Sequence, residues 1–272
     1  MDNSPIGIFD SGVGGLTAME ELVHCLPGER YIYLGDSHNM PYGEKTPEQI
    51  VEMSRRNVQF LLEKSVKAIF IACGTATVNA LQVLAPTCPV PVFGVVEAAV
   101  SEALSLTQNG RIGVLATRAS IEAQTYQRRI LQKAPNTVIE ARACYVFATM
   151  VEYGIYDKND PRVRTAADEY LPPLKAAGVD TVILGCTHYP LLSEVIREYV
   201  GEDVKLVSSG AAAARSWAKF IETSRLRAHG TETSLEYYTT GDKQTFAGSA
   251  RHMLRRDISA QLKTIEPLYE SL

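Results

Sequence analysis

The 272-residue chain has little that would carry it out of the cytoplasm. Its five cysteines are an odd number scattered over a long sequence, so they build no disulfide framework. No apolar run approaches the roughly 18 residues needed to cross a bilayer, which excludes a helical membrane protein. The opening residues, Met-Asp-Asn-Ser-Pro, have no basic region followed by an apolar one, and predict no secretory signal. A net charge of −4 with no basic cluster argues against a nucleic-acid partner. No C-x-x-C pattern occurs and the histidines show no ligand spacing, so no metal site is expected. No linker or low-complexity segment divides the chain. What is present is ordinary for a soluble globule, 46 % hydrophobic and 21 % charged, long enough for one large or two modest domains.

Strand-like runs recur at Ile6–Asp10, Tyr31–Gly35, Ala68–Ala72, Val90–Val96, Arg111–Ala116, Thr181–Leu184, Lys205–Val207 and Leu235–Thr240. Helical patterns lie between them, at Pro47–Lys64, Ala98–Leu106, Ile121–Lys133, Pro161–Ala177 and Leu191–Val200. Such alternation predicts an α/β fold with mainly parallel sheets and right-handed crossovers.

Two cysteines sit where an apolar run stops. Cys73 lies in Ala68-Ile-Phe-Ile-Ala-Cys-Gly-Thr75 and Cys186 in Thr181-Val-Ile-Leu-Gly-Cys-Thr-His188. In open α/β sheets ligands bind at the carboxyl ends of strands. A thiol just before a helix is expected to feel the positive end of the dipole, which lowers its pKa from about 8.5. The setting is duplicated more widely, because Pro5-Ile-Gly-Ile-Phe-Asp-Ser11 resembles Arg111-Ile-Gly-Val-Leu-Ala-Thr117 and an amphipathic stretch follows each. The pattern predicts two similar α/β domains related by a pseudo-twofold, with the active site in the cleft between them. The first comprises residues 1–97 plus 208–272, the second residues 98–207. Cys73 and Cys186 would then face one substrate from opposite walls, as removal and return of a proton on a carbon requires.

Around these thiols stand other candidates. The loop Phe9-Asp-Ser-Gly-Val-Gly-Gly-Leu16 lacks the Gly-Lys-Ser/Thr of a nucleotide-phosphate loop but could hold a carboxylate on free helix N–H groups. Asp10 within it could accept or orient the proton of Cys73. In Gly35-Asp-Ser-His-Asn-Met-Pro-Tyr-Gly43, the Pro-Tyr-Gly turn offers N–H groups and a phenol to a polar ligand, whereas His38 reads as an exposed loop residue. His188, two residues past Cys186, can share or shuttle its proton. Cys25, Cys88 and Cys144 read as ordinary buried thiols.

Phe9–Leu16, Pro41-Tyr-Gly43, Ala72-Cys-Gly-Thr-Ala76 and Leu184–Leu192 together resemble the glutamate racemases of the cofactor-independent aspartate/glutamate racemase superfamily. Ala143-Cys-Tyr-Val-Phe147 with Glu152, and Tyr238-Thr-Thr-Gly-Asp242, fall where that family has similar segments. The resemblance implies two opposed catalytic cysteines, Cys73 and Cys186, with Asp10 supporting the first and Glu152 and His188 the second. It implies that Asp10, Ser11, Tyr42, Gly43, Gly74, Thr75, Thr187 and His188 bind the amino acid. It implies no cofactor, a cytoplasmic homodimer, and D-glutamate made for peptidoglycan. The chain departs from the pattern at Gly74, where the family has Asn, at His38, and at Ser208-Ser-Gly. Restoring Asn at position 74 is expected to raise efficiency. An aspartate-preferring racemase, or a weakly active homologue that binds an amino acid or regulates a partner, stays open at this point.

Overall fold

The structure is a computed structural model that describes residues 2–230 and 232–269. Its strands, in chain order, are β1 (Ile6–Asp10), β2 (Arg30–Gly35), β3 (Ala68–Ile71), β4 (Val92–Gly94), β5 (Arg111–Ala116), β6 (Val138–Ala143), β7 (Thr181–Leu184), β8 (Lys205–Ser208), β9 (Ser234–Thr239) and β10 (Leu262–Thr264). They form two all-parallel sheets, ordered β10-β9-β2-β1-β3-β4 and β6-β5-β7-β8. The stretch β2-β1-β3-β4 repeats as β6-β5-β7-β8, which is the duplication read from the sequence. β1 and β5 are the matched central strands, buried along their length save Arg111. Helices cover the sheets, as parallel strands require.

Local chemistry explains most helix boundaries. Thr46 Oγ1 accepts from Gln49 N at 3.3 Å and Gln49 Oε1 accepts from Thr46 N at 3.0 Å, a reciprocal cap that starts helix Pro47–Glu63. Two expected helices are broken. Residues 161–177 split into Pro161–Tyr170 and Pro172–Ala176, because Pro172 and Pro173 donate no N–H. Arg118–Glu122 and Thr125–Lys133 replace one helix at 121–133, separated by Gln124 with φ of 53°. The strand expected over 90–96 shortens to β4, since Val96 already begins a helix.

The chain crosses between the halves after β4 and after β8. The two crossing helices, Val96–Leu106 and Ser209–Thr223, are clamped by Arg215 Nη2 donating to both Glu102 oxygens at 2.7 and 2.8 Å. Ser208 caps the second helix, its Oγ accepting from Ala211 N at 3.3 Å, and Ser209 Oγ donates to Leu184 O at 2.8 Å. Ser208-Ser-Gly thus serves helix initiation and the join between halves.

At the amino ends of β1, β2 and β3, opposite the strand ends that carry the site, Lys67 Nζ is buried 2.5 Å from Glu29 Oε2 and donates to Asp2 O at 2.7 Å. Glu29 Oε1 also accepts from Arg227 Nη1 at 3.0 Å and Ala228 N at 2.8 Å. Removing one member of a buried ionic cluster strands the others without partners. Lys67→Met should therefore destabilise the fold by about 3–5 kcal/mol, read as a lower urea midpoint with an unchanged denaturant slope.

Candidate active site

Parallel strands put their last residues at one edge, and both sheets turn that edge to a shared cleft. Ser11 follows β1, Cys73 lies just past β3, Thr117 follows β5 and Cys186 lies just past β7; all four line one cavity. Its other walls are Pro41, Tyr42 and Gly43, Gly74 and Thr75, Ala148, Thr149 and Glu152, and Thr187 and His188. Every expected site residue reaches it except Asp10, which lies fully buried beneath. The cavity holds only about 30 Å³, room for a water or two and not for an amino acid. The halves are shut on one another.

Cys73 caps helix Gly74–Leu84, its Sγ accepting from Ala76 N at 3.4 Å, and donates to Ser11 Oγ at 3.7 Å. The helix start was expected to lower its pKa. Burial and then the nearby Asp10 charge act oppositely and win, pushing the thiol up to about 12. Asp10 makes no hydrogen bond to Cys73. Its Oδ1 accepts from Gly12 N at 3.0 Å, and its Oδ2 lies 3.5 Å from Thr187 Oγ1 of the other half. Burial raises the carboxyl of Asp10 despite the opposing influence of His188 and the Gly12 and Gly15 N–H groups.

Cys186 is set differently. No α-helix starts beside it; Thr187 and His188 turn into the 3₁₀ helix Tyr189–Leu192, whose Tyr189 and Leu192 are buried in the core of the second half. Cys186 Sγ and His188 Nδ1 lie 3.4 Å apart. His188 Nε2 lies 3.0 Å from Glu152 Oε1, an ion-pair contact off the N–H axis. Burial disfavours the imidazolium, yet the charge of Cys186, its hydrogen bond and Glu152 outweigh burial and raise the pKa well above the ordinary value. His188 thus stands between Cys186 and Glu152, in contact with both.

Two expectations change. The Tyr42 hydroxyl donates to Asp36 Oδ2 at 2.5 Å and accepts from Asn57 Nδ2 at 3.0 Å, so it is directed into the first half and not at a ligand. Asp36 is held in turn by Thr240 Oγ1 at 2.7 Å, so the loops at 36–43 and 238–242 brace each other. The second change concerns Gly74. A Cβ there would lie 2.2 Å from Gly185 O, a backbone atom of the other half, so asparagine does not fit as the halves now stand. Among the remaining thiols Cys144 is buried and Cys25 and Cys88 are half-buried; His38 is exposed.

Sequence reading missed Thr117, Ala148 and Thr149, and took Pro41 only as part of the Pro-Tyr-Gly turn. Thr117 carried a signal, because it is the counterpart of Ser11 in the repeated strand. Its Oγ1 lies 2.9 Å from Thr75 Oγ1 across the cleft and 3.0 Å from Ser120 Oγ.

This geometry matches known proteins. Residues 6–217 fit the family described as Asp/Glu/hydantoin racemase. The chain belongs to this family. A glutamate racemase of Corynebacterium diphtheriae is 42 % identical over 255 residues, covering 93 % of this chain and 95 % of that one. Among solved structures, a glutamate racemase isoform from Bacillus anthracis superposes with a TM-score of 0.93 at 32 % identity, over 98 % of this chain and 99 % of its own. The Francisella tularensis glutamate racemase in complex with D-glutamate gives 0.91 at 32 % identity, over 98 % and 99 %.

Within the family frame, the burial of Cys73 has a measurable sign. A raised thiol pKa keeps the proton on as pH rises, so Cys73 stays a thiol until pH nears about 12. In a Cys186→Ser background, the thiolate absorbance belonging to Cys73 should stay largely absent at about pH 10, where an ordinary thiol of pKa about 8.5 is ionised. A complete step by that pH would show that burial does not control this group.

Proposed function

We propose that this protein interconverts L- and D-glutamate without a cofactor, passing the α-proton between Cys73 and Cys186. The observation that carries the reading is that both thiols, set at matched strand ends of two repeated sheets, line one small cavity. The names of the relatives supply the choice of glutamate.

In this reading the cleft opens, admits the amino acid and shuts around it, excluding water. When Cys186 is the base, its thiolate takes the α-hydrogen and becomes a thiol. The electron pair left on Cα is delocalised into the substrate carboxylate, and the Cys73 thiol gives its proton to the opposite face. Cys73 is left as thiolate, and the reverse reaction begins from that state. The N–H groups of Gly74 and Thr75, in the first turn of helix Gly74–Leu84, have no intrahelical partners, and suit a carboxylate whose negative charge grows in the transition state. His188, backed by Glu152, holds a proton beside Cys186 and returns it as the sulfur's charge changes. Asp10 acts on Cys73 only through charge and through the Ser11 loop.

We further infer that residues 1–97 with 208–272, and residues 98–207, move as the two bodies of this closure. On the family resemblance we also infer a homodimer working in the cytoplasm, with D-glutamate made for peptidoglycan.

A chiral assay of the purified protein on L-glutamate and L-aspartate tests the activity. Turnover of aspartate alone would replace glutamate as the substrate, and turnover of neither would leave only a binding protein. Cys73→Ala and Cys186→Ala should each abolish racemisation, since the reaction needs an acid and a base together. His188→Asn should lower kcat more in the direction that uses Cys186 as base. Equal losses from pure L- and pure D-glutamate would make His188 a shared or purely structural residue.

A further inference from the structure

The seam around the cleft is made by glycines of the first half pressed on the second. A Cβ at Gly14 would meet Thr187 Oγ1 at 2.4 Å, and one at Gly43 would meet Thr117 Cβ at 2.9 Å. These neighbours are side chains. At Gly74 the neighbour is the backbone carbonyl of Gly185, at 2.2 Å. That carbonyl is pinned. Gly185 N donates to Leu115 O at 2.7 Å, and Gly185 itself is packed so that a Cβ there would lie 3.0 Å from both Ala116 Cβ and Leu115 O. Gly185 therefore cannot retreat into its own half. A side chain at position 74 can be housed only if the halves stand further apart.

Gly74 also lies between the residues that such a separation would move. It directly follows Cys73 and precedes Thr75, while Gly185 directly precedes Cys186. The contact between the two glycines thus sits beside both thiols, with the Thr75–Thr117 hydroxyl pair next to it. We propose that Gly74 is a positioning residue that sets how far the two halves close, and through this the gap between Cys73 and Cys186. It touches neither proton nor substrate in this capacity; it acts by having no side chain. The inference rests on the two-thiol reading above.

Gly74→Ala is the test, with Gly248→Ala as its control, because Gly248 lies in helix Lys243–Leu254 with nothing within 4 Å of an added Cβ. Misplacing reacting groups by about 1 Å lowers rates on the order of 100-fold. Gly74→Ala should lower kcat on that scale from both enantiomers alike, since the gap is common to both directions, with a smaller change in KM. Alkylation of Cys73 by iodoacetamide at fixed pH, followed by mass spectrometry, should become faster because the cleft stays ajar. Gly248→Ala should change neither. A second probe has one arm that does not depend on that variant's folding. With diamide as oxidant, Thr75→Cys with Thr117→Cys should form a disulfide readily when Gly74 is present, and poorly alongside a Gly74→Ala change whose circular dichroism spectrum is that of the wild type. Wild-type alkylation and kcat in Gly74→Ala, or failure of the cysteine pair to join in the presence of Gly74, would overturn the proposal. Alkylation and cross-linking need no turnover, so they judge Gly74 even if the protein proves not to racemise glutamate.

Discussion

Burial of ionisable groups at the join between two sheets is the constraint from which the rest of this site follows. Parallel strands leave their final residues at one edge, and closing two such edges on each other removes Asp10, Cys73 and His188 from water together. Each charge in that space must find a partner or give up its charge. Cys73 has a hydroxyl and one N–H for company and keeps its proton. His188 has a sulfur and a carboxylate, one on each ring nitrogen, and keeps a proton for the opposite reason. The two halves are repeats of one topology, yet their thiols are unlike because their neighbours are unlike.

That inequality bears on how a racemase must work. Neither enantiomer is privileged by the equilibrium, so kcat/KM must be equal in the two directions, and each thiol has to serve as the base in one of them. Burial that pushes Cys73 up to about 12 works against its turn as the base. A substrate carries its own ammonium and carboxylate into the space, and those charges replace the water that closure expels. The ammonium would favour a thiolate near it, against the pull of burial.

Much of this was legible from residues alone, where the signal was local. The runs Ala68-Ile-Phe-Ile71 and Thr181-Val-Ile-Leu184 are β-branched, fully buried strands, and they place the thiols at strand ends without further information. β6 escaped notice because it is an edge strand, carries Glu140 and Arg142, and is only partly buried; β10 escaped because it is three residues long. The site failed to be legible wherever the deciding atom lay far away in sequence. The phenol of Tyr42 is claimed by Asp36 and Asn57, neither of which is part of its turn motif. The helix beside Cys73 predicts a lowered pKa, but burial, followed by the charge of Asp10 from another strand, raises it.

Gly74 is the sharpest case of this kind. Read along the chain it is a deficit, a polar side chain missing beside a catalytic candidate. Read in space it leaves room for the backbone carbonyl of Gly185, which stands where a Cβ at position 74 would lie. A deletion of contact on the sequence becomes a contact in the fold. The same exchange runs around the cleft at Gly14 and Gly43, where side chains of the second half occupy the space a first-half Cβ would need. The wall of this cleft is built as much by the atoms that glycine omits as by the groups that could bind a ligand.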